Sequence, residues 1–274
     1  MATTNLTSDP SQPAAQTGAA LLISLASLAP EAFDQTLARI VEAFAGQDVI
    51  VTTPDSSVDS VSGGIRVVGY TPAVPSPGSW TLTAADFLNA RELAQQHQAK
   101  AVLLLGGESQ SLHPATLRGM AQALLSEGAD LVVPRYALPP RAGLVNSAIL
   151  FPTTRALFGT QPRFPLAIDL GVSARAADRL ATAAQRFTAI NQPDALIWPI
   201  AEISVAGYSI TEVQGGPRTF PQPSAQDLNS LLAQVASSFF ADLDAKAAFW
   251  QRARLASPSA LDRVQRVVDQ EPIT

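Results

Sequence analysis

No cysteine occurs in this chain, which excludes disulfides, thiolate catalysis and cysteine-based metal sites at once. His97 and His113 are its histidines, too few for a multi-histidine cage, so any metal would have to be a hard ion held by carboxylates. Positive charge is scarce as well. Against 23 Asp and Glu stand 18 Lys and Arg, a net charge of −5 that supplies no basic field for nucleic acid or anionic lipid. The longest apolar run, Ala19 to Ala29, is too short to span a bilayer, and the segment before it carries Asp9 but no Lys or Arg. It is therefore read as a first buried strand rather than a leader, and the protein is expected in the cytoplasm. There is no Gly-x-Gly-x-x-Gly after that strand, and Gly63 to Gly69 lacks the Lys-Ser/Thr of a phosphate-binding loop. Nothing in the sequence therefore points to a dinucleotide oxidoreductase or a P-loop enzyme.

What is present is an apolar chain: 47% hydrophobic and 15% charged residues predict a packed globule. Met1 to Gly18, rich in Thr, Ser, Pro and Gln, has almost nothing to bury and reads as a disordered tail. From Leu21 the chain alternates. Strands are expected at Leu21 to Leu25, Asp48 to Thr53, Ile65 to Gly69, Ala101 to Leu105 and Asp130 to Pro134, with helices between them. Pro30-Glu31 opens the first helix, Thr83 with Asp86 forms a capping box for the next, and His113-Pro114 opens another. So regular an alternation predicts a largely parallel sheet covered on both faces. Beyond Arg135 it weakens: a helix from Gly143 to Gly159 interrupted at Pro152, an extended run around Asp169, a helix from Ser173 to Phe187 and a strand from Tyr208 to Val213. Ser224 with Asp227 then caps a long amphipathic helix reaching about Trp250.

In open α/β sheets ligands sit beyond the carboxyl ends of the strands. That rule points to Gly106-Gly107-Glu108 after the fourth strand, and to Asp55 and Asp59 after the second. Asp169 carries more information, because an acid among apolar neighbours must be paired or shifted in pKa, and both are commoner at functional sites. Gly107-Glu108-Ser109 could also be a hydrolase elbow, but Ser111 breaks the Gly-x-Ser-x-Gly pattern, leaving a tight turn into a helix as the plainer account.

Four segments in order resemble the GT-A fold of nucleotide-sugar glycosyltransferases, most of all family-2-like bacterial enzymes and the mannosylglycerate and glucosylphosphoglycerate synthases. The resemblance spans roughly Ala20 to Pro223. Pro54-Asp55-Ser56-Ser57-Val58-Asp59 is similar to an Asp-Asp-Gly-Ser-x-Asp motif whose acid recognises the base; Gly106-Gly107-Glu108 stands where the family has Asp-x-Asp, keeping only the last acid. In the run from Arg163 to Ser173, Arg163, Pro165, Asp169, Gly171 and Ser173 match the acceptor-region segment. Gly215 to Phe220 resembles a Leu-Gly-x-Lys-x-His run, with Arg218 for the base and Phe220 for the metal-binding histidine.

The resemblance implies an α/β protein: a Rossmann-like, mostly parallel sheet with helices on both faces, a domain over 19–222 and a C-terminal helical extension over 223–274. It implies transfer of a hexose from a nucleotide sugar to a small or lipid-linked acceptor. Asp55, Ser57, Asp59, Gly106, Gly107, Glu108, Arg135, Arg163 and Arg218 would bind the donor, with Asp169 the catalytic carboxylate facing the acceptor hydroxyl, as orienting group or base. The metal site is degraded, so a divalent Mg or Mn ion would be held weakly by Glu108, and Arg135, Arg163 and Arg218 are the groups to take over its charge. The rival reading is a catalytically silent member kept for binding or regulation. The long helix after Ser224 is where two copies would pair into a homodimer.

Overall fold

The computed structural model describes residues 19–76, 80–139, 142–221 and 228–256. In chain order these form β1 (Leu21–Leu25), α1 (Pro30–Phe44), β2 (Val49–Thr53), β3 (Asp59–Ser62), β4 (Ile65–Gly69), α2 (Ala84–Gln96), β5 (Ala101–Leu105), α3 (Pro114–Leu125) and β6 (Leu131–Tyr136). Then come α4 (Phe151–Phe158), β7 (Asp169–Ser173), α5 (Ala174–Thr188), α6 (Pro199–Val205), β8 (Ile210–Gly216), α7 (Leu228–Ala245) and α8 (Ala247–Ala256). The sheet has eight strands in the order β3-β4-β2-β1-β5-β7-β6-β8. All are parallel in direction except β3, which forms a hairpin with β4, and β7, which runs antiparallel between β5 and β6.

Every residue of β1, β2 and β5 is buried, so helices cover both faces of the sheet centre. They pack in two groups, α1 with α3 and α2 with α5. Local chemistry sets the helix starts as expected: Pro30 and Pro114 lie in the first turns, and the Thr83–Asp86 capping box is formed, with Asp86 Oδ2 accepting from Thr83 N at 2.8 Å. The helix expected from Gly143 enters α4 through a π-turn, Asn146–Leu150. Phe151 N–H donates five residues back to Asn146, and Pro152, next in line, has no N–H to give.

Several expectations need correction. β3 was not foreseen, because Asp-Ser-Val-Ser is polar and mostly exposed and has no apolar face to announce it. The strand expected at Asp130 to Pro134 continues to Tyr136, and the one at Tyr208 to Val213 continues to Gly216. α6, only seven residues between Trp198 and Ala206, also went unread. The long last helix is two, α7 and α8, separated at Lys246; the Ser224–Asp227 cap lies outside the described residues, as do Met1 to Gly18. α7 buries Val235, Phe239 and Leu243 in a second apolar cluster with Leu150, Leu196 and Trp198, and exposes Leu232 and Phe240. His97, the C-cap of α2, is half-buried, and burial first, then the charge of Arg66, lowers its pKa.

The reversed strand is pinned at its far end by Asp130, 1% exposed. Its carboxylate accepts from Arg175 Nε at 2.5 Å and Nη2 at 2.6 Å, from Ser173 Oγ at 2.9 Å, and from Ser209 N and Oγ at 3.0 Å. One acid thus joins the end of β7, the start of α5 and the approach to β8. Burial alone would raise its pKa, but the bonds from Arg175, Ser209 and Ser173 outweigh burial and hold it down at about 2.

A carboxylate depressed on folding adds stability above its unfolded pKa near 4 and loses it as pH falls toward 2. Asp130→Asn should therefore cost about 1 kcal/mol at neutral pH, less than the shift alone implies because solvent screens the exposed Arg175. Denaturant titrations at pH 7 and pH 3 check this. The gap between the two proteins should narrow at the lower pH, and an equal gap at both would remove Asp130 from the acid transition.

Candidate active site at the carboxyl edge of the sheet

Six strands end at one edge of the sheet, and because β7 runs the other way its first residue, Asp169, arrives there too, paired with Leu105 at the end of β5. The chain moves from β1 toward β2 on one side and returns to β5 on the other, so the switch point lies between β1 and β5. Candidate residues gather on both sides of it.

On the β5 side, Asp169 and Arg218 form an ion pair whose side chains are both 0% exposed. Arg218 Nε donates to Asp169 Oδ2 at 2.8 Å and Nη2 to Oδ1 at 3.1 Å. The other carboxylate contacts come from Gly106 N, at 3.0 Å to Oδ1, and from the Tyr136 hydroxyl, at 2.7 Å to Oδ2. Each carboxylate oxygen thus accepts two bonds. The guanidinium is equally occupied: Nη2 also reaches Gly107 O at 2.7 Å, and Nη1 donates to Ser111 Oγ at 2.9 Å, Thr219 O at 2.6 Å and Glu108 O. Burial by itself would lower the Arg218 pKa, but the charge and bonds of Asp169 outweigh it, and the group stays cationic. The Tyr136 phenol is pushed well above its ordinary value, by burial first and then by the negative charge of Asp169, so it remains a donor.

The Arg218 side chain therefore underpins the turn after β5. Within that turn Glu108 sits in the left-handed region at φ 58°, a conformation costing a non-glycine residue roughly 1 kcal/mol. Bonds from Arg218 to the Gly107 and Glu108 carbonyls, one on each side of the Glu108 Cα, hold it there. Its carboxylate, on a half-buried residue, accepts from Gln110 Nε2 at 2.8 Å. Gly106 has no room for a side chain, since a Cβ would lie 2.6 Å from Ile168 O. Over the pair lie Phe164 and Phe220, stacked at 5.1 Å between ring centroids, with Tyr136 edge-on to both.

On the β2 side, Asp55 opens a tight turn. Its Oδ1 accepts from Ser57 Oγ at 2.6 Å and Ser57 N at 3.0 Å, and these bonds lower its pKa, so an ionised, exposed carboxylate is presented. The turn folds back on Gly69, where a Cβ would lie 2.2 Å from Asp55 O. Asp59 is exposed in β3. Arg135 is half-buried in β6 beside Tyr136, and Arg163 is exposed, its backbone N–H bonded to Glu212. The structure thus joins Asp169, Arg218, Gly106, Gly107 and Glu108 in one network and leaves Asp55, Ser57 and Asp59 across β1. Tyr136 and Ser111 were missed by sequence reasoning. A tyrosine just past the expected strand end, at the carboxyl edge, was the available signal, hidden by Pro134.

Among the described residues no three His, Asp or Glu side chains are grouped to hold a metal. Glu108 offers one carboxylate, and Asp169 has no free lone pair directed outward. The residues present do not make a metal centre by themselves.

No protein-family model matches the chain, and no curated protein does either. Solved structures do. A glucosyl-3-phosphoglycerate synthase from Mycobacterium tuberculosis, in complex with Mn2+, UDP and phosphoglyceric acid, is 19% identical with a TM-score of 0.51, covering 83% of this chain and 79% of that one. A mannosyl-3-phosphoglycerate synthase from Rubrobacter xylanophilus is 15% identical with a TM-score of 0.55, covering 88% and 78%. At such identities the likeness is one of fold, and the fold is the GT-A fold of nucleotide-sugar transferases.

Removing one partner of the buried pair should be far worse than removing both. Arg218→Met strands a carboxylate in an apolar setting and is expected to cost about 3–5 kcal/mol, while Asp169→Leu combined with Arg218→Met recovers a large part of it. Thermal melts of the three proteins test this. A single variant that melts like wild type would mean the pair does not hold the turn.

Proposed function

We propose that this chain is a glycosyltransferase that takes a hexose from a nucleoside-diphosphate sugar and passes it to a small or lipid-linked acceptor. The observation that carries the reading is the Glu108 turn, held in a left-handed conformation at the switch point by a buried ion pair. A turn held this way is a feature of binding sites more than of plain connections.

In this reading the nucleotide lies across the ends of β2, β1 and β5. Asp55 keeps one carboxylate oxygen outside its own turn, and an ionised acceptor at that position suits the N–H edge of a base. Gly106 and Gly107 form the tight turn that brings the backbone to the donor, and Glu108 faces the diphosphate region. Arg135 and Arg163 are assigned to the phosphate oxygens. Asp169 and Arg218 serve as positioning residues: every polar atom of the pair is engaged within the protein, so they act by fixing the turn and its electrostatics. Asp169 would face an acceptor hydroxyl as a base only after Tyr136 or Arg218 had turned away. Should a divalent Mg or Mn ion take part, Glu108 would hold it jointly with the donor's phosphates, and no role above depends on it.

The test is a thermal-shift panel of UDP-, GDP- and ADP-sugars, each with manganese, magnesium or a chelator, on wild type and Asp55→Ala. One nucleotide should raise the melting temperature, by the equivalent of about 2.7 kcal/mol at ~100 times its dissociation constant, and Asp55→Ala should abolish the shift. Silence from every donor at millimolar concentration would sink the transferase reading. A shift without release of nucleoside diphosphate on adding acceptors would leave a binding protein instead.

A further inference from the structure

A cleft of about 720 Å3 lies between α5, α6 and the junction of α7 with α8, and it shares no residue with the site above. Its lining runs against the charge of the chain. In a protein of net charge −5, Arg179, Arg186, Lys246 and Arg252 all face this one cleft, with Glu202 as the acid among its lining residues.

The floor is built and neutral. Glu202, 5% exposed, accepts on Oε2 from Arg179 Nη2 at 2.9 Å and on Oε1 from Lys246 Nζ at 2.7 Å. Lys246, itself only 9% exposed at the break between α7 and α8, also pairs with Asp242. The second oxygen of Asp242 is buried with no hydrogen-bond partner among the described residues. Above this floor the charges do not cancel. Arg186 makes no direct ion pair among the described residues, its charge only reaching Asp242 from a distance, and Arg252 uses its Nε on Ala248 O at 2.7 Å, leaving both terminal nitrogens without a described partner. Arg179 and Arg186 are two turns apart on one stripe of α5, and Arg252 meets them from α8. Gathering like charges from separate helices is unfavourable unless something negative lies between them. The planar guanidinium fork matches phosphate oxygens in particular, and Phe249 supplies an apolar wall beside the arginines.

We propose that this cleft is a second binding site, for a small organic phosphate monoester. The phosphoryl group sits between Arg186 and Arg252 above the Lys246–Glu202 pair, and the organic body lies against Phe249. The site needs nothing from the crevice at the sheet edge and stands whether or not that crevice takes a nucleotide.

Isothermal titration of the full chain with phenyl phosphate, inorganic phosphate and phenol tests the assignment. Phenyl phosphate should bind at one site per chain, more tightly than inorganic phosphate, and phenol should give no saturable heat. Arg186→Gln combined with Arg252→Gln should weaken phenyl phosphate about tenfold or more, each single variant by less, and Arg39→Gln on α1 not at all. Both arginines are exposed, so the ligand-free melting temperature should stay at the wild-type value. Absence of saturable binding at millimolar phenyl phosphate, or equal affinity in the double variant, would overturn the proposal.

Discussion

The carboxyl edge of this sheet depends on one buried ion pair. Asp169 and Arg218 are both removed from water, which is costly for any charge, and the cost is offset only because every polar atom on both groups has a partner. Those partners come from the turn after β5, the last residue of β6, the first residue of β7 and the segment after β8. Four strands are thereby held at their ends by a single contact. A turn that would otherwise relax keeps Glu108 in a left-handed conformation.

The reversal of β7 makes this possible. In an all-parallel sheet the edge would receive only carboxyl ends and the loops beyond them, which are less sharply positioned. An antiparallel strand delivers a residue still inside the ladder: Asp169 is fixed by its pairing with Leu105 before its side chain makes any bond. Asp130 secures the other end of the same strand, so β7 is held at each terminus by an arginine–carboxylate pair, one buried and one half open to solvent.

Much of the frame could be read from the residues. The apolar runs at Leu21 and Ala101 became β1 and β5, and Thr83 with Asp86 became a formed capping box, because these signals are local and span a few residues. Asp169 was marked by its apolar neighbours. Its partners could not be read in the same way. Arg218 lies 49 residues from Asp169 and 111 from Gly107, and nothing local distinguishes an arginine facing solvent phosphate from one closed inside the protein. Tyr136 was hidden by a strand that continues past Pro134. β3 and α6 were too polar or too short to carry a period, and only their tertiary neighbours make them regular. The basic cleft is likewise a product of assembly, since Arg179 lies on α5, Lys246 at the junction of α7 with α8, and Arg252 on α8.

The spacing within the ion-pair network also sets an order of events during folding. β1, α1 and β2 are joined by short connections and can associate early, whereas the bond from Arg218 to Gly107 closes a loop of more than a hundred residues. Until β8 has been made and docked, Asp169 has no cation, and burying it alone is unfavourable. The crevice edge therefore consolidates late, and a nascent chain that has emerged only as far as β7 holds a hydrated edge where the finished protein has a turn braced by Arg218.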